Sequence, residues 1–468
     1  MLRISNHYVS KIVFVLLFVE LLVLMGSAYA GAAVRHIGSG EVLSAEHLHH
    51  FFTSAIAFAT AVIFSMSAMG MYQLNFGEGT SRNSFLMQLM PSFVMGFFIL
   101  TLVFYLAPDL SFGRSILLLV FAIAAAGIAV ARMIFLKTSE LRFLQQRIMF
   151  LGGGPLAKEC SDLAGQSSRY HRYKIAGFIQ TESEELCVPA SNLLKMKDGD
   201  SLLSMAKKHG VEEIVVSVEN RRSGLPIKEL LDCKLQGVKV TDAATFFERE
   251  TCQIRVDSLQ PSWLVFGGGF DQSFVRTFMK RSFDLVCSAT ILALTFPLML
   301  LAAIAVKLED GGPVFYSQER VGKDGKTFRV HKFRSMRADA EKGGKPQWAA
   351  QNDPRVTRVG NFMRKTRIDE LPQIVNVFKG EMSFVGPRPE RPYFVEQLIE
   401  VVPYYNVRHS IKPGITGWAQ VRYGYGSSAE DALQKLQYDL YYVKNNSLFL
   451  DMLILIDTLK VVLFRSGR

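Results

Sequence analysis

The sequence predicts a membrane α-helical bundle, then an α/β Rossmann-like domain, then a mainly helical third domain that carries another membrane-embedded helix. Three observations predict this order. Apolar residues crowd into four long runs in the first third, a strand, glycine loop and helix pattern opens near residue 147, and beyond residue 275 the chain turns basic around one further uncharged run. A chain of 468 residues exceeds one compact core, and two or three folded units are expected at this length. The predicted boundaries are 1–140 for the bundle, 141–265 for the middle domain and 276–468 for the last. Hydrophobic residues make up 49% and charged residues 20%, ordinary values for a soluble protein, so their uneven placement is what separates membrane from soluble parts. Net charge is +11. Roughly ten of those charges fall after residue 275, beside long apolar stretches, which points to anionic lipid or phosphate as a partner.

The first apolar run, 12–33, follows Lys11 and is broken only by Glu20, Ser27 and Tyr29, enough to cross ~30 Å of hydrocarbon. Ala28-Tyr29-Ala30 resembles a signal cleavage site, but further apolar segments at 51–72, 87–108 and 113–136 predict a retained first helix in a four-helix bundle. Four spans return the chain to its starting side. The cluster Arg132, Lys137, Arg142 and Arg147 marks that side as cytoplasmic, with the protein in the bacterial inner membrane. His47, His49 and His50 read as a polar loop between membrane helices rather than as a metal site. Five scattered cysteines without a CxxC pair predict a reducing compartment. Although the isoelectric point is near 9.3, there is neither a basic stripe interleaved with aromatics nor zinc-finger spacing, so nucleic acid is not an expected partner.

In the middle domain, residues 147–151 read as a buried strand, and Gly152-Gly-Gly154-Pro-Leu-Ala157 opens a helix in the GxGxxA pattern of a dinucleotide loop. Strand-like runs at 174–179, 211–218 and 237–240 alternate with helical stretches, as in a small doubly wound domain. No acidic residue ends the second strand to hold a ribose, and Pro155 removes an N–H from the phosphate cradle, so a structural or regulatory use is favoured over cofactor binding. The layout also fits a membrane-anchored nucleotide-sugar dehydratase or epimerase, but the only nearby Tyr-x-x-x-Lys, Tyr170 to Lys174, comes too soon after the loop. A non-enzymatic alternative is a membrane scaffold whose middle domain senses nucleotide.

The last third opens with Lys280-Arg281-Ser-Phe-Asp284 and an apolar run to Ala305, with Pro297 near its middle. Such a helix either spans the bilayer or turns back at the proline. Lys280 and Arg281 then sit at headgroup level, suited to a lipid phosphate or acting as interface anchors. Asp369 and Glu370 are adjacent carboxylates whose side chains diverge by about 100° on an α-helix. They are either a working pair, one attacking and one holding metal, or an ordinary acidic first turn favoured by the helix dipole. Arg388, between Pro387 and Pro389, presents its planar fork from a stiff backbone, suited to phosphate oxygens. Arg391 is a further candidate beside a solvated surface role. Arg320, Lys332 and Arg334 lie on a predicted hairpin turned at Asp324-Gly325, gathered on one face or simply solvated. The segment 412–420 around Trp418 either lines a pocket or braces the fold, and 448–464 is a membrane-surface or core helix.

Six motifs carry a resemblance: Lys280-Arg281-Ser-Phe-Asp284, Gln318-Glu-Arg-Val-Gly322, Lys332-Phe-Arg-Ser-Met336, Arg364-Lys-Thr-Arg-Ile-Asp369-Glu370-Leu-Pro-Gln373, Gly386-Pro-Arg-Pro389 and Lys412-Pro-Gly-Ile-Thr-Gly-Trp-Ala-Gln420. In this order over 276–468 the chain resembles the monotopic bacterial sugar transferases, and its whole layout is similar to the large members that start O-antigen, capsule and exopolysaccharide repeat units. Gln260-Pro-Ser-Trp-Leu-Val-Phe266 resembles the exopolysaccharide subgroup linked to PEP-CTERM systems. The resemblance implies transfer of a hexose-1-phosphate from a UDP-sugar to undecaprenyl phosphate among membrane lipids, and is compatible with a homodimer. It assigns Asp369 as nucleophile and Glu370 as ligand of Mg²⁺ with Asp369 beside it, Arg364 as the residue orienting the carboxylate, and Pro297 and Pro372 as structural prolines. It also implies a catalytic domain facing the cytosol, where such donors are made, and hence a re-entrant helix over about 283–306. The family often places Ser before the helix-breaking proline; here Phe296 stands there, and Thr295 is expected to supply the hydroxyl.

Overall fold

The computed structural model describes the chain apart from residues 1, 5–6, 10, 40–44, 73–81, 112–113, 139–144, 167–172, 181–184, 195, 197–199, 219–224, 257–269, 271–272, 338–339, 341–352, 425, 427 and 465–468. The Gln260 to Phe266 motif, Arg142 and Tyr170 lie outside the described residues, as do the side chains of Lys137, His47, His49 and His50. Two short strands, β1 (Leu2–Ile4) and β2 (His7–Val9), begin the chain. Two compact units follow from its contacts, one containing Val9–Thr251 and the other Cys252–Arg468 together with Arg3–Tyr8.

In the first unit the predicted apolar runs form α1 (Lys11–Ser39), α2 (Ala45–Ala68), α3 (Arg82–Leu106) and α4 (Arg114–Thr138), and each contains a segment long and apolar enough to cross a membrane. Leu24, Phe58, Val62, Leu100, Val120 and Ile128 form their common core. Gly31 permits the close approach of α1 and α4, since a Cβ there would come within 2.5 Å of Val120 Cγ2. One feature of the sequence reading changes. Arg132, counted as part of a basic cluster at the membrane edge, is buried and paired with Glu20, and it donates to the Met71 carbonyl at 3.1 Å. Tyr72 Oη donates to the same Glu20 carboxylate at 2.5 Å. A charge inside an apolar bundle is costly unless paired, so this arginine fastens helices rather than facing headgroups.

The same unit holds an all-parallel sheet in the order β4-β3-β5-β6, built from β3 (Gln146–Leu151), β4 (Tyr173–Ile179), β5 (Glu213–Val216) and β6 (Lys239–Asp242). Between and after the strands run α5 (Pro155–Gln166), α6 (Leu202–His209), α7 (Ile227–Leu235) and α8 (Ala243–Thr251). Strands buried on both faces read as continuous apolar runs, as Ile148, Met149, Phe150 and Leu151 do here. At the start of the strands Glu213 is enclosed, bonded by Arg249 at 2.7 Å and Thr241 at 2.5 Å. At the opposite end lies the glycine loop. Its Gly153 carbonyl accepts from the Cys187 N–H at 2.8 Å, and a Cβ on Gly153 would meet Leu186 Cδ1 at 3.0 Å.

The second unit is organised on α9 (Phe274–Asp310), a helix of 37 residues that at ~1.5 Å per residue reaches about 55 Å. α9 stays helical through Pro297, and Thr295 does not serve the carbonyl that the proline leaves without a donor. That carbonyl belongs to Ala293, four residues back, whereas Thr295 Oγ1 donates to Ile291 O at 2.7 Å. Leu294, Phe296, Leu300 and Leu301 are each more than half exposed, an apolar surface that calls for lipid. Both ends of α9 pack on the same unit. Asp284 accepts from Ser383 Oγ and Phe384 N at 3.0 Å each, while Ala302 and Val306 join Phe333, Met363 and Ile368 in a small core.

Then come the antiparallel hairpin β7 (Phe315–Val321) and β8 (Thr327–Phe333), α10 (Arg358–Thr366), a 3₁₀ turn (Ile368–Gln373) and α11 (Ile374–Lys379). They are followed by β9 (Ser383–Val385), α12 (Pro392–Val401), β10 (Gly414–Thr416), α13 (Trp418–Arg422), α14 (Ala429–Asn445) and α15 (Leu448–Phe464). The hairpin turns at Asp324 and Gly325, both at positive φ, as expected from the sequence. Strands β9 and β10 pair in parallel. They approach so closely at Gly414 that a Cβ would lie 2.0 Å from Gly386 N, which is why two separate motifs carry glycine there. Leu450 and Ile454 bury one side of α15 in the unit's core, so the core-helix alternative describes that face.

Candidate active site

Thr357 caps α10 by accepting from Gly360 N at 3.0 Å, and the helix ends at Arg367, a non-glycine residue in the left-handed region (φ 57°). A turn so placed redirects the chain and drives Ile368 into the core with Phe333 and Met363. The next two residues, Asp369 and Glu370, are thereby held at 7% and 8% exposure. They lie in a 3₁₀ turn rather than an α-helix, and neighbours on a three-residue turn point about 120° apart. Two cavities record that divergence. Asp369 lines one of about 450 Å³, and Glu370 lines another of about 220 Å³.

Glu370 is held by cations. Its Oε1 accepts from Lys332 Nζ at 2.9 Å and Arg388 Nη2 at 3.2 Å, with Arg367 Nη1 at 3.8 Å. Burial alone would raise this carboxyl, but the three cations hold it well below the ordinary carboxylate range. Asp369 has the opposite fate. Burial, and then the charge of Glu370, push it up to about 6, and its Oδ1 is buried with no hydrogen-bond partner among the described residues. Burial also lowers the Lys332 ammonium, in part offset by Glu370.

The larger cavity gathers most of the basic candidates. Arg320, Lys332, Arg334, Arg364, Arg388 and Arg391 all line it. Hairpin register explains the first two, because Tyr316 faces Lys332 directly and residues 316, 318 and 320 alternate onto one face. Arg320 reaches Pro389 O at 3.1 Å and Gln318 Oε1 at 2.6 Å, tying the hairpin to the proline-flanked loop. Arg334 shares the wall but pairs with Asp310 at the end of α9. Arg364 was expected to touch the carboxylate. It acts only at a distance, lowering Asp369 as one of several charges, and no ion pair within 4.0 Å links the two among the described residues. Lys280 and Arg281 differ most from expectation. Lys280 Nζ lies 2.8 Å from Asp451 and 3.1 Å from Val385 O, and Arg281 donates to Val377 O and Phe378 O at 2.6 and 2.8 Å. Both fasten α9 to its own unit.

Three residues were missed. Arg367 lines both cavities and was passed over because a left-handed arginine has no sequence signal. Arg408 donates to the Arg388 carbonyl at 2.9 Å and pairs with the buried Asp439 at 2.7 Å, setting the backbone of the phosphate-clamp candidate. Trp418 proves to be a brace: it is 1% exposed and its indole N–H donates to Cys252 O at 3.0 Å. His7 sits beside it, 2.9 Å from Tyr441 Oη, and burial lowers its imidazole to about 4.

A family model described as bacterial sugar transferase matches residues 275–465, the stretch that contains every residue of this site. Over 238 residues the chain is 44% identical to a "UDP-N-acetylgalactosamine-undecaprenyl-phosphate N-acetylgalactosaminephosphotransferase" of Aeromonas hydrophila, covering 51% of this chain and 55% of that protein. It is 32% identical over 357 residues to an "Undecaprenyl-phosphate galactose phosphotransferase" of Salmonella typhimurium, covering 70% of each. A "UDP-galactose-lipid carrier transferase" of Erwinia amylovora is 29% identical over 459 residues, 92% of this chain and 91% of that protein. The chain spans about half the length of several curated relatives it matches, 55% in the first of these. With identity of 32% over 70% of a relative, the chain belongs to the bacterial sugar transferase family.

Proposed function

We propose that this protein transfers a hexose-1-phosphate from a UDP-sugar to undecaprenyl phosphate, the first step of repeat-unit assembly in exopolysaccharide or capsule synthesis. The observation that carries the proposal is a buried Asp369, one oxygen of which has no hydrogen-bond partner among the described residues, lining a cavity of about 450 Å³ walled by arginines and two lysines. A diphosphate brings negative charge to a negative nucleophile, so such a reaction needs cations placed in advance. In the first step Asp369 attacks the phosphorus that bears the sugar. The bond to the bridging oxygen breaks, UMP leaves with that electron pair, and the sugar phosphate remains on Asp369 as an acyl phosphate, a mixed anhydride. In the second, an oxygen of the lipid phosphate attacks the same phosphorus and returns the carboxylate. Lys332, Arg388 and Arg367 neutralise Glu370, so Asp369 faces less repulsion from its neighbour, and Arg320 and Arg391 offer further positive charge to the diphosphate.

The donor set fits Mg²⁺, which is commonly held by one or two carboxylates together with substrate phosphates. Glu370 and Asp369 would hold it, and when bound it would supply charge neutralisation at the leaving phosphate. The contact of both ends of α9 with one unit supports a helix that enters and leaves the membrane on the same, cytoplasmic side. The Rossmann-like middle domain serves in this reading as a structural element. A Leu186 side chain standing against Gly153, where a cofactor phosphate would approach the loop, speaks against the dehydratase or epimerase alternative.

Purified full-length protein supplied with UDP-glucose, UDP-galactose and their N-acetylated forms should release UMP from at least one. Addition of EDTA should stop the release and MgCl₂ restore it. No UMP from any donor would remove the proposal, and release indifferent to EDTA would remove the metal from it.

A further inference from the structure

The cavity of about 220 Å³ behind Glu370 is not needed for the donor. Ile291 of α9, Leu371, Ile374, Phe384, Ile415 and Val421 form its apolar wall. The two hydroxyls that reach it, Thr416 and Thr458, bond each other at 2.7 Å, and Thr458 also bonds Ile454 O, so neither asks for a ligand. At its inner end stand Arg367 and Glu370, and Arg367 also lines the cavity of Asp369. An apolar slot that starts on the most lipid-suited helix of the unit and ends at a cation shared with the reacting carboxylate fits an amphiphile with an anionic head. We infer that this slot receives the phosphate-proximal prenyl units of the acceptor, with its phosphate beside Arg367. Size sets how many. A cavity of about 150 Å³ holds a six-carbon ring, so this one takes on the order of nine carbons, close to two five-carbon prenyl units. The remainder of the chain stays in the bilayer along the exposed side of α9. Charge complementarity favours this occupant over a neutral lipid: Lys332 and Arg388 already bond Glu370 at 2.9 and 3.2 Å, so Arg367, 3.8 Å from it and the only cation among the described residues that line the slot, keeps charge for a phosphate.

The inference rests on the proposed transfer and is tested separately from it. Full-length protein in detergent is given its UDP-sugar with dimethylallyl, geranyl or farnesyl phosphate, and lipid-linked product is measured. The second prenyl unit should raise kcat/KM at least tenfold and the third less than threefold. Val421→Phe, which fills the slot, should reduce the gain from the second unit to below threefold, and Val421→Ala, which enlarges it, should make the third unit count. A chain-length profile unchanged in both variants would overturn the slot while leaving the transfer standing. If wild-type protein releases UMP but passes sugar phosphate to no prenyl phosphate, the acceptor reading and the slot fall together. Loss of the profile when phosphatidylglycerol is added to the micelles would give the slot to bulk lipid and overturn the assignment.

Discussion

The glycine loop at 152–154 and the turn at 367–373 both use backbone that few residues accept, yet only one of them opens onto space. Gly152 has φ +122°, and a Cβ on it would lie 2.9 Å from Ser217 O, while the loop's next carbonyl is bonded by Cys187 and its surface is covered by Leu186. At the other turn Asp369 is also buried, but it lines a cavity of about 450 Å³, and its Oδ1 has no hydrogen-bond partner among the described residues. A glycine pattern reports a backbone geometry. A buried acceptor left open among cations reports a place where a ligand completes the bonds. The sharpest way to break this contrast is Asp369→Asn. UMP release should fall by about 10⁴-fold or more, while the melting temperature holds or rises, because the amide keeps the shape and removes repulsion from Glu370. Retained release would return the aspartate to the class of structural acids.

Lys332→Met tests whether the cations around Glu370 shape the site or only hold the fold. It leaves a buried carboxylate with Arg388 and the more distant Arg367, so stability should drop by about 3 kcal/mol and donor kcat/KM by about 10²-fold. Denaturant titration and UMP release measured on the same sample separate the two. A fall in stability with unchanged turnover would make Lys332 a brace like Trp418.

Much of this was legible from residue order. The four membrane helices followed from unbroken apolar runs, the parallel sheet from alternating strand and helix patterns, and the hairpin from Asp324-Gly325, all of them local signals. Adjacent carboxylates between basic and proline-rich motifs marked the site. What local pattern does not carry is which cation meets which oxygen. Lys280 and Arg281 look like headgroup anchors in sequence, yet Asp451, 171 residues from Lys280, claims one of them. Arg132 looked like a membrane-edge charge, and Glu20, 112 residues away, draws it inside. Arg408 and Asp439 gave no signal because their role is to hold the backbone of Arg388.

A smaller effect sharpens the chemical side of the comparison. Burial and the Glu370 charge raise the Asp369 carboxyl to about 6, and in the proposed reaction only the ionised form attacks. Lowering the pH through this value protonates the nucleophile, so kcat/KM for the donor should be flat above about pH 7 and fall about tenfold per unit below 6. A limb near pH 4, the ordinary aspartate range, would mean that Asp369 is solvated when the donor arrives.

The smallest expected effect lies at the loop whose space is already taken. In Gly153→Ala the new methyl meets Leu186 Cδ1 at 3.0 Å, the mobile tip of a side chain that is 37% exposed, so the leucine moves aside at a cost of about 1 kcal/mol or less. UMP release should stay within about twofold of wild type, because the loop holds no reacting group and its hydrogen bond to Cys187 runs through the backbone. Were a phosphate to bind there, the same methyl would intrude where backbone N–H groups must approach it. Release would then fall steeply with a normal melting curve. That combination would place a ligand in the middle domain and end the distinction between a glycine loop filled by its own chain and a carboxylate turn left open for substrate.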